Sequence, residues 1–575
     1  MRRLLFALLP LAACAADPKD SGAADGGAVD GADGSDGVDG SDGADGSDGV
    51  DGSDGVDGSD GADGTDGTDG SDGGEDPRWA PLVAAAEADM AASGAYAISV
   101  AVLKDGELLY AGAFGARDGA GGDPVSPATL FGIGSTTKNM AAALALREVE
   151  AGRLSLEAPV AATLPALTPP NAELLPGATL RQLLMHSGGT NDWLDWRGDP
   201  DDGALESDAL GGFSAAAYQM AVPGEIWNYS NPNFSIAGLM TEQVDPAGRP
   251  WADIVHDDLF APLGMERCVG RGVDALADGD YTVGAGIGLS GLARDVGPAD
   301  FDPAFARPAG LVWCTPTDMV TWGWALLGGH PEVLSEGVRA ELLRPQIDLG
   351  YVEPGLQTYG FGLFIDQGFA LSETEFSDKL RIDHGGNTLG HTSAFTLIPE
   401  DGVVVSVLAS AYGADLSATT RAALEAVDAL GPLRAPPVVA PDPSQWADFV
   451  GAYKDVYNVG DMIVSEEGGS LVVDCPLLDS LGIPYTRTLE VWGPRTFFWE
   501  VQGMTIDLSF LRPAGVSEGP AKYIRNRIFV ATRDEAEAPP AFAPAAGTPG
   551  RPLRLGLPLG PDPLGPRAPG WAWAR

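Results

Sequence analysis

Basic residues, cysteine and histidine are scarce in this chain. Against 82 acidic residues stand 34 Lys and Arg, a formal net charge of -48. So few cations offer little to a polyanion, because nucleic-acid affinity rests mostly on Lys and Arg displacing counterions, and no nucleic-acid partner is expected. Four cysteines in 575 residues are too few for a disulfide-stapled scaffold, and no C-x-x-C pair stands among them for zinc or redox work. Five histidines, without H-E-x-x-H or a Cys/His cluster, supply no metal site, and no cofactor is expected. Beyond the N-terminus no apolar run reaches the ~18 residues of a spanning helix. Glycine, at 79, and an apolar fraction of 44% are plentiful, enough for two or three domains of about 150 residues.

The charge is unevenly spread. Residues 17–76 hold 19 Asp, one Glu and one Lys. Before them Met1-Arg2-Arg3 precedes the apolar stretch Leu4 to Ala13, and Leu11-Ala12-Ala13-Cys14 closes it with small residues and a cysteine. A basic start, a short apolar core and small residues at the cut are what export signals need, and with the cysteine the stretch resembles a bacterial lipoprotein signal. The resemblance implies removal of residues 1–13 and lipidation of Cys14, whose acyl chains would hold the protein to a membrane of the cell envelope; an ordinary secretory signal is the alternative. From Asp30 to Gly73 an Asp-Gly-x triplet repeats. It lacks the proline of collagen and sets like charges side by side, so residues 14–77 are expected to form a disordered, self-repelling tether. Calcium binding is the other use of dense carboxylates, but the spacing lacks the x5-Glu ending of an EF-hand loop.

From Trp79 the composition is globular. Trp79 to Ala92 reads as a helix, followed by strands Ile98 to Leu103 and Glu107 to Gly112 about the turn Asp105-Gly106. Far down the chain a second hairpin, Ser393 to Ile398 and Val403 to Leu408, precedes a helix over Thr419 to Leu430. This pattern predicts an α/β (α+β) domain over 78–433: an antiparallel sheet assembled from both chain ends and flanked by helices, a mainly helical lobe from the middle, and a cleft between them. Past the linker Ala435-Pro436-Pro437, short strand-like runs at Phe449 to Tyr453, Met462 to Ser465, Ser470 to Val473, Thr488 to Trp492, Phe497 to Trp499, Thr505 to Leu511 and Tyr523 to Ala531 predict a separate small β barrel or sandwich over 442–535. Residues 536–575, rich in Pro, Ala, Gly and Leu without period, read as a flexible tail.

Two short motifs mislead. Gly286-x-Gly288-x-x-Gly291 has the spacing of a dinucleotide fingerprint but no βαβ context, and Gly515-x-Ser517-x-Gly519 lacks the strand-turn-helix setting of a nucleophile elbow. The informative stretch is Gly134-Ser135-Thr136-Thr137-Lys138, which leads into the Ala/Leu-rich run Met140 to Glu150, a buried helix closed by Gly152. At helical spacing Ser135 and Lys138 share a face about 5–6 Å apart. A serine hydroxyl needs a neighbouring base, and a buried lysine has its pKa lowered toward that task; the helix start adds N–H groups where an oxyanion would form. Pro223-Gly224-Glu225-x-Trp227-x-Tyr229-Ser230-Asn231 sets a tyrosine and an asparagine two apart, suited to facing one cleft. In Asp383-His384-Gly385-Gly386-Asn387 the glycines allow a substrate backbone close to the strand.

Together and in this order, S-x-x-K, Y-x-N and H-x-G resemble the serine beta-lactamase and penicillin-binding-protein superfamily, in its class C-like branch. The segments Gly152-Arg153-Leu154-Ser155-Leu156-Glu157, Leu180 to Gly189, Pro262-Leu263-Gly264-Met265, Ala309-Gly310-Leu311-Val312 and Tyr359-Gly360-Phe361-Gly362 extend the resemblance over about residues 79–430. It implies that Ser135 is the acylated nucleophile, that Lys138 and Tyr229 move its proton, and that the amides of Ser135 and Asn387 form the oxyanion hole. Asn231, His384, Gly386 and Asn387 would meet substrate, and His186 would be a structural loop residue. The departure is His384, where dedicated class C beta-lactamases carry lysine. An imidazole of pKa near 6.5 is mostly neutral at neutral pH and gives no fixed cation for a substrate carboxylate, so D-amino-acid peptides, amides or small esters are expected before beta-lactams. A true beta-lactamase and a non-catalytic binding protein on the same scaffold are the alternatives. Whether any of Cys268, Cys314 and Cys475 pair is left open.

Overall fold

The computed structural model describes residues 76–534 apart from 120, 193–197, 288–292, 351–355 and 439. The expected signal segment, Cys14, nearly all of the tether, and the tail from 536 lie outside the described residues.

Helix α1 (Ala80–Ser93) leads into β1 (Ala97–Lys104) and β2 (Glu107–Gly115). The short strand β3 (Phe131–Gly132) precedes α2 (Thr137–Glu150); the lobe that follows contains α3 (Leu180–Leu184) and α4 (Asn231–Val244). The chain returns through β4 (Trp313–Cys314), α5 (Pro316–Leu327), β5 (Ile347–Asp348), β6 (Leu356–Tyr359), β7 (Phe364–Ala370), β8 (Phe376–Asn387), β9 (Thr392–Ile398), β10 (Val403–Ala409) and α6 (Ser417–Ala426). One eight-stranded sheet runs β2-β1-β10-β9-β8-β7-β6-β5, antiparallel at every described pairing. Its centre joins the two ends of this domain, with Ile98 opposite Ala409 and Lys104 opposite Val403.

Residues alternate between the two faces of a strand, and here both faces are covered. Ile98, Val100 and Val102 of β1 and Val403, Val405 and Val407 of β10 join one core with Leu82 and Ala86 of α1 and Ala423 of α6. Leu103, Val404 and Leu408 point the other way, into a core shared with α2, α4 and α5. A strand buried on both faces has to be apolar almost throughout, which explains the runs in β1 and β10. Helix α5 lies so close to the sheet that a Cβ on Gly323 would fall 2.3 Å from Val404 Cγ1. Helix α6 ends at Ala426, short of the expected Leu430, because Asp428 takes a left-handed φ of 56° and Ala429 N turns back to Leu424 O at 2.9 Å.

Behind the start of α2, β3 pairs with β4, Phe131 opposite Cys314, and Cys314 is disulfide-bonded to Cys268. Cys475 is a buried free thiol.

The C-terminal domain is a second antiparallel sheet: β11 (Gly451–Asp455), β12 (Gly460–Glu467), β13 (Ser470–Asp474), β14 (Glu490–Val491), β15 (Thr496–Val501), β16 (Met504–Leu511), β17 (Tyr523–Arg525) and β18 (Val530–Arg533), in the order β13-β12-β11-β18-β17-β16-β15-β14. Its end strands curl toward each other, since Val473 N bonds Arg487 O at 2.7 Å and Leu489 N bonds Leu471 O at 2.9 Å, so few edge groups are left unpaired. The run expected as one strand, Tyr523 to Ala531, is instead two strands joined by a turn. Gly515 to Gly519 lie in the connection between β16 and β17. Gly286 lies on an antiparallel hairpin, Gly284–Ile287 with Ala293–Val296, while Gly288 and Gly291 fall outside the described residues.

Candidate active site

Ser135 sits in a 3-10 turn, Gly134–Thr136, that runs directly into α2. Among the contacts that hold the turn, Thr137 Oγ1 donates to Gly134 O at 2.8 Å, Ser393 Oγ donates to Ile133 O at 2.7 Å, and Asn139 Nδ2 donates to Thr136 O at 2.7 Å. One helical turn on, Lys138 is fully buried. Its Nζ lies 2.9 Å from Ser135 Oγ and 2.7 Å from Asn231 Oδ1, and it also meets the carbonyl of Ala309.

For the neutral form of the amine, the partners assign the protons. Burial pushes the Lys138 amine well below its ordinary value; the nearby Asp192 carboxylate works against that shift and the Arg527 guanidinium reinforces it. A neutral amine has two N–H bonds and one lone pair. Asn231 Oδ1 and Ala309 O can only accept, so they take the two N–H bonds and leave the lone pair toward the Ser135 hydroxyl. That is the arrangement a general base requires.

Asn231 is the first residue of α4, with Ser230 at the N-cap position but its hydroxyl turned to Asn191 O at 3.0 Å. Its amide is oriented from the far side by Asp192 Oδ1, which accepts from Asn231 N at 2.8 Å and from Asn231 Nδ2 at 3.0 Å. The Tyr229 ring lies beside the amine, 5.0 Å from Lys138 Nζ to the ring centre, and packs on His186 with ring centres 4.1 Å apart. His186, at a left-handed φ of 55°, accepts the Ser230 N–H on Nδ1 at 3.2 Å. Burial, with the Lys138 amine close by, holds it well below its usual pKa.

The end of β8 closes the other side. A Cβ on Gly386 would fall 2.0 Å from Ile133 O and 2.8 Å from Ser135 N, and one on Gly134, at a φ of 55°, would fall 2.5 Å from Asn387 N. Only glycines permit this approach of strand to turn. Two side chains expected to face substrate do not. The His384 ring is buried: Nδ1 lies 2.6 Å from Gly385 O, which can only accept, so Nδ1 carries the proton and Nε2 accepts from Tyr359 Oη at 3.1 Å. Burial, reinforced by Lys138, lowers its pKa to about 3. The Asn387 side chain turns away, its Oδ1 accepting from Thr392 Oγ1 at 2.7 Å and Gly413 N at 3.1 Å, and only its backbone borders the turn.

Sequence reading gathered Ser135, Lys138, Tyr229 and Asn231, and the fold brings them together. It missed Asp192, three residues beyond the Leu180 to Gly189 segment, whose carboxyl was the one available signal. It also missed Ala309 as an acceptor, Tyr359 as the partner of His384, and Arg527, for which no sequence signal exists.

The beta-lactamase family profile matches residues 82–429. Penicillin-binding protein 4 of Amycolatopsis lactamdurans is 29% identical over 372 residues, 62% of this chain and 92% of that protein. Esterase EstB of Burkholderia gladioli is 35% identical over 30% of this chain and 46% of its own length. A D-aminopeptidase of Gluconobacter oxydans (strain 621H) is 30% identical over 32% of this chain and 34% of its own length. The chain thus aligns with about half of the esterase and a third of the aminopeptidase. Among solved structures, that of SurE has a TM-score of 0.57 at 22% identity and covers 79% of this chain and 99% of its own, a likeness of fold that takes in more than residues 82–429 can supply.

Proposed function

Because the chain belongs to the beta-lactamase family of serine hydrolases, we propose that it is a lipid-anchored cell-envelope hydrolase that cleaves D-amino-acid peptides, amides or small esters through an acyl-enzyme at Ser135. The observation that carries this reading is the 2.9 Å approach of Lys138 Nζ to Ser135 Oγ, with both amine N–H bonds committed elsewhere.

Ser135 Oγ attacks the substrate carbonyl carbon as its proton passes to Lys138 Nζ. The oxyanion forms between the N–H of Ser135, in the turn before α2, and the N–H of Asn387, at the end of β8. Its collapse breaks the bond to the leaving amine or alcohol, which takes a proton back from Lys138 by way of the adjacent Tyr229. Water then attacks the Ser135 ester by the reverse route and frees the acid. The charges support this choice of substrate. His384, neutral down to about pH 3, supplies no cation for the carboxylate of a beta-lactam, and the names of the esterase and D-aminopeptidase relatives agree with that preference.

The test is intact-mass spectrometry after incubation with a fluorophosphonate and, separately, with a penicillin, comparing wild type with Ser135→Ala. A single adduct on wild type alone is expected with the fluorophosphonate, and a slowly cleared one with the penicillin. Fast penicillin turnover without an adduct would assign a beta-lactamase instead, and no labelling by either probe would leave a binding protein. Anchoring is checked by palmitate labelling in cells, expected for wild type and lost in Cys14→Ser.

A further inference from the structure

The turn between β17 and β18 is pinned at its base. Asn526 N donates to Phe529 O at 2.9 Å, Asn526 Oδ1 accepts from Ile528 N at 2.9 Å, and Asn526 Nδ2 donates to Asp507 O at 3.0 Å. The residue this turn presents, Arg527, leaves the β domain and enters the site of the other domain. Its Nε and Nη2 reach Asp192 Oδ2 at 3.2 and 2.5 Å, and its guanidinium carbon lies 4.6 Å from the centre of the Tyr229 ring. The pair is largely shielded from water, the side chains of Arg527 and Asp192 being 17% and 9% exposed.

A contiguous relay results. Arg527 occupies one oxygen of Asp192; the other oxygen takes the N–H2 end of Asn231; the Asn231 oxygen is thereby turned to Lys138; and Lys138 is left with its lone pair toward Ser135. An amide rotated by half a turn would aim donors at the amine and compete for that lone pair. A carboxylate this close, if uncompensated, would hold the amine as an ammonium, which is no base.

We propose that Arg527, supplied by the β domain, is a positioning residue for the Ser135–Lys138 pair: through Asp192 it orients the Asn231 amide and offsets the carboxylate's charge beside the amine. The proposal rests on the hydrolase reading above. Among the described residues, the charged and titratable groups facing Lys138 are Asp192, Arg527, Tyr229, His186 and His384. The two histidines are held neutral by burial, which leaves the Asp192–Arg527 pair to set the local charge. Within it Arg527 pushes the amine down and Asp192 pushes it up.

The experiment measures fluorophosphonate labelling of Ser135 and steady-state hydrolysis of p-nitrophenyl acetate across pH, on the full chain. Wild type must label first; if it does not, the hydrolase reading and this proposal fail together, whereas a labelled wild type with indifferent variants overturns the proposal alone. Arg527→Ala is expected to lower kcat about 10-fold with KM little changed. It should also move the acid limb of the profile up by about one pH unit, because both the loss of the cation and the exposed Asp192 charge favour protonated Lys138. Arg527→Lys restores the limb, and adding Asp192→Asn to Arg527→Ala moves it back down. Should Arg527→Ala not fold, Arg527→Gln, which keeps donors but no charge, carries the same expectation for the limb. Lys522→Ala, which removes the neighbouring contact of β17's flank to Glu225 at 2.7 Å, is expected to leave the limb in place. An Arg527 that only braces the domains predicts the opposite pattern: a uniform loss at every pH, no better for Lys than for Ala.

Discussion

At the scale of the residue, the site depends on what each polar atom is permitted to do. Lys138 meets two atoms that can only accept and one that can do either, so its usefulness comes from the partners as much as from burial. Lys138→Ala is expected to slow Ser135 acylation by at least ~100-fold, the low end for loss of a general base, read as the rate of fluorophosphonate labelling; a near-normal rate would remove Lys138 from the chemistry. His384 illustrates the same logic in reverse. Its two nitrogens are committed to a carbonyl and a tyrosine hydroxyl, and desolvation holds it neutral to about pH 3. Its imidazole resonances are therefore expected to show no titration between pH 5 and 8 in a proton-carbon NMR experiment, and the pH profile of hydrolysis should carry no step near 6.5 that disappears in His384→Gln.

At the scale of the element, the turn Gly134–Thr136 is a junction rather than a helix end standing alone. Strand β3 leads into it, β4 pairs with β3, and the disulfide fastens β4 to Cys268, 46 residues earlier. A cross-link over that separation stabilises by about 4 kcal/mol in the chain-entropy account. Paired Cys268→Ser and Cys314→Ser substitutions are expected to lower unfolding free energy by roughly that amount, measured by denaturant titration. Another outcome of element-scale packing is the end of β8, where glycine alone lets strand and turn touch. Here the sequence expectation of close substrate approach had the right residue type, but what comes close is the protein's own Ile133–Ser135 backbone.

At the scale of the molecule, the β domain grips the loop that carries Tyr229. Leu511, Tyr523 and Val530 share a buried cluster with Met220, Ala221 and Ile226; Tyr523 and Lys522 reach Glu225; and Arg525, wholly buried, donates to Trp227 O at 2.9 Å. Leu511→Ala is expected to cost about 2–4 kcal/mol, as large-to-small core changes do, and to slow Ser135 labelling as well, because the loosened loop is the one that presents Tyr229 and Asn231. A mere appendage would lose stability with labelling unchanged, so thermal unfolding and labelling rate measured together decide between them.

By itself the amino-acid order determined what is local or periodic. The two-sided apolar runs of β1 and β10, the three-residue spacing of Ser135 and Lys138 and the two-residue spacing of Tyr229 and Asn231 are short-range facts, and the backbone converts each directly into a shared face or cleft. The ends of elements were less legible: the stop at Ala426 and the turn at Asn526 depend on single left-handed or hydrogen-bonded residues that hydrophobic pattern does not register. Only the tertiary structure decided which cysteines meet, which way His384 and Asn387 turn, and that Asp192 and Arg527, 335 positions apart, share a carboxylate–guanidinium contact beside Lys138. Those outcomes rest on desolvation and on hydrogen-bond partners drawn from distant segments, and neither exists until the chain has folded.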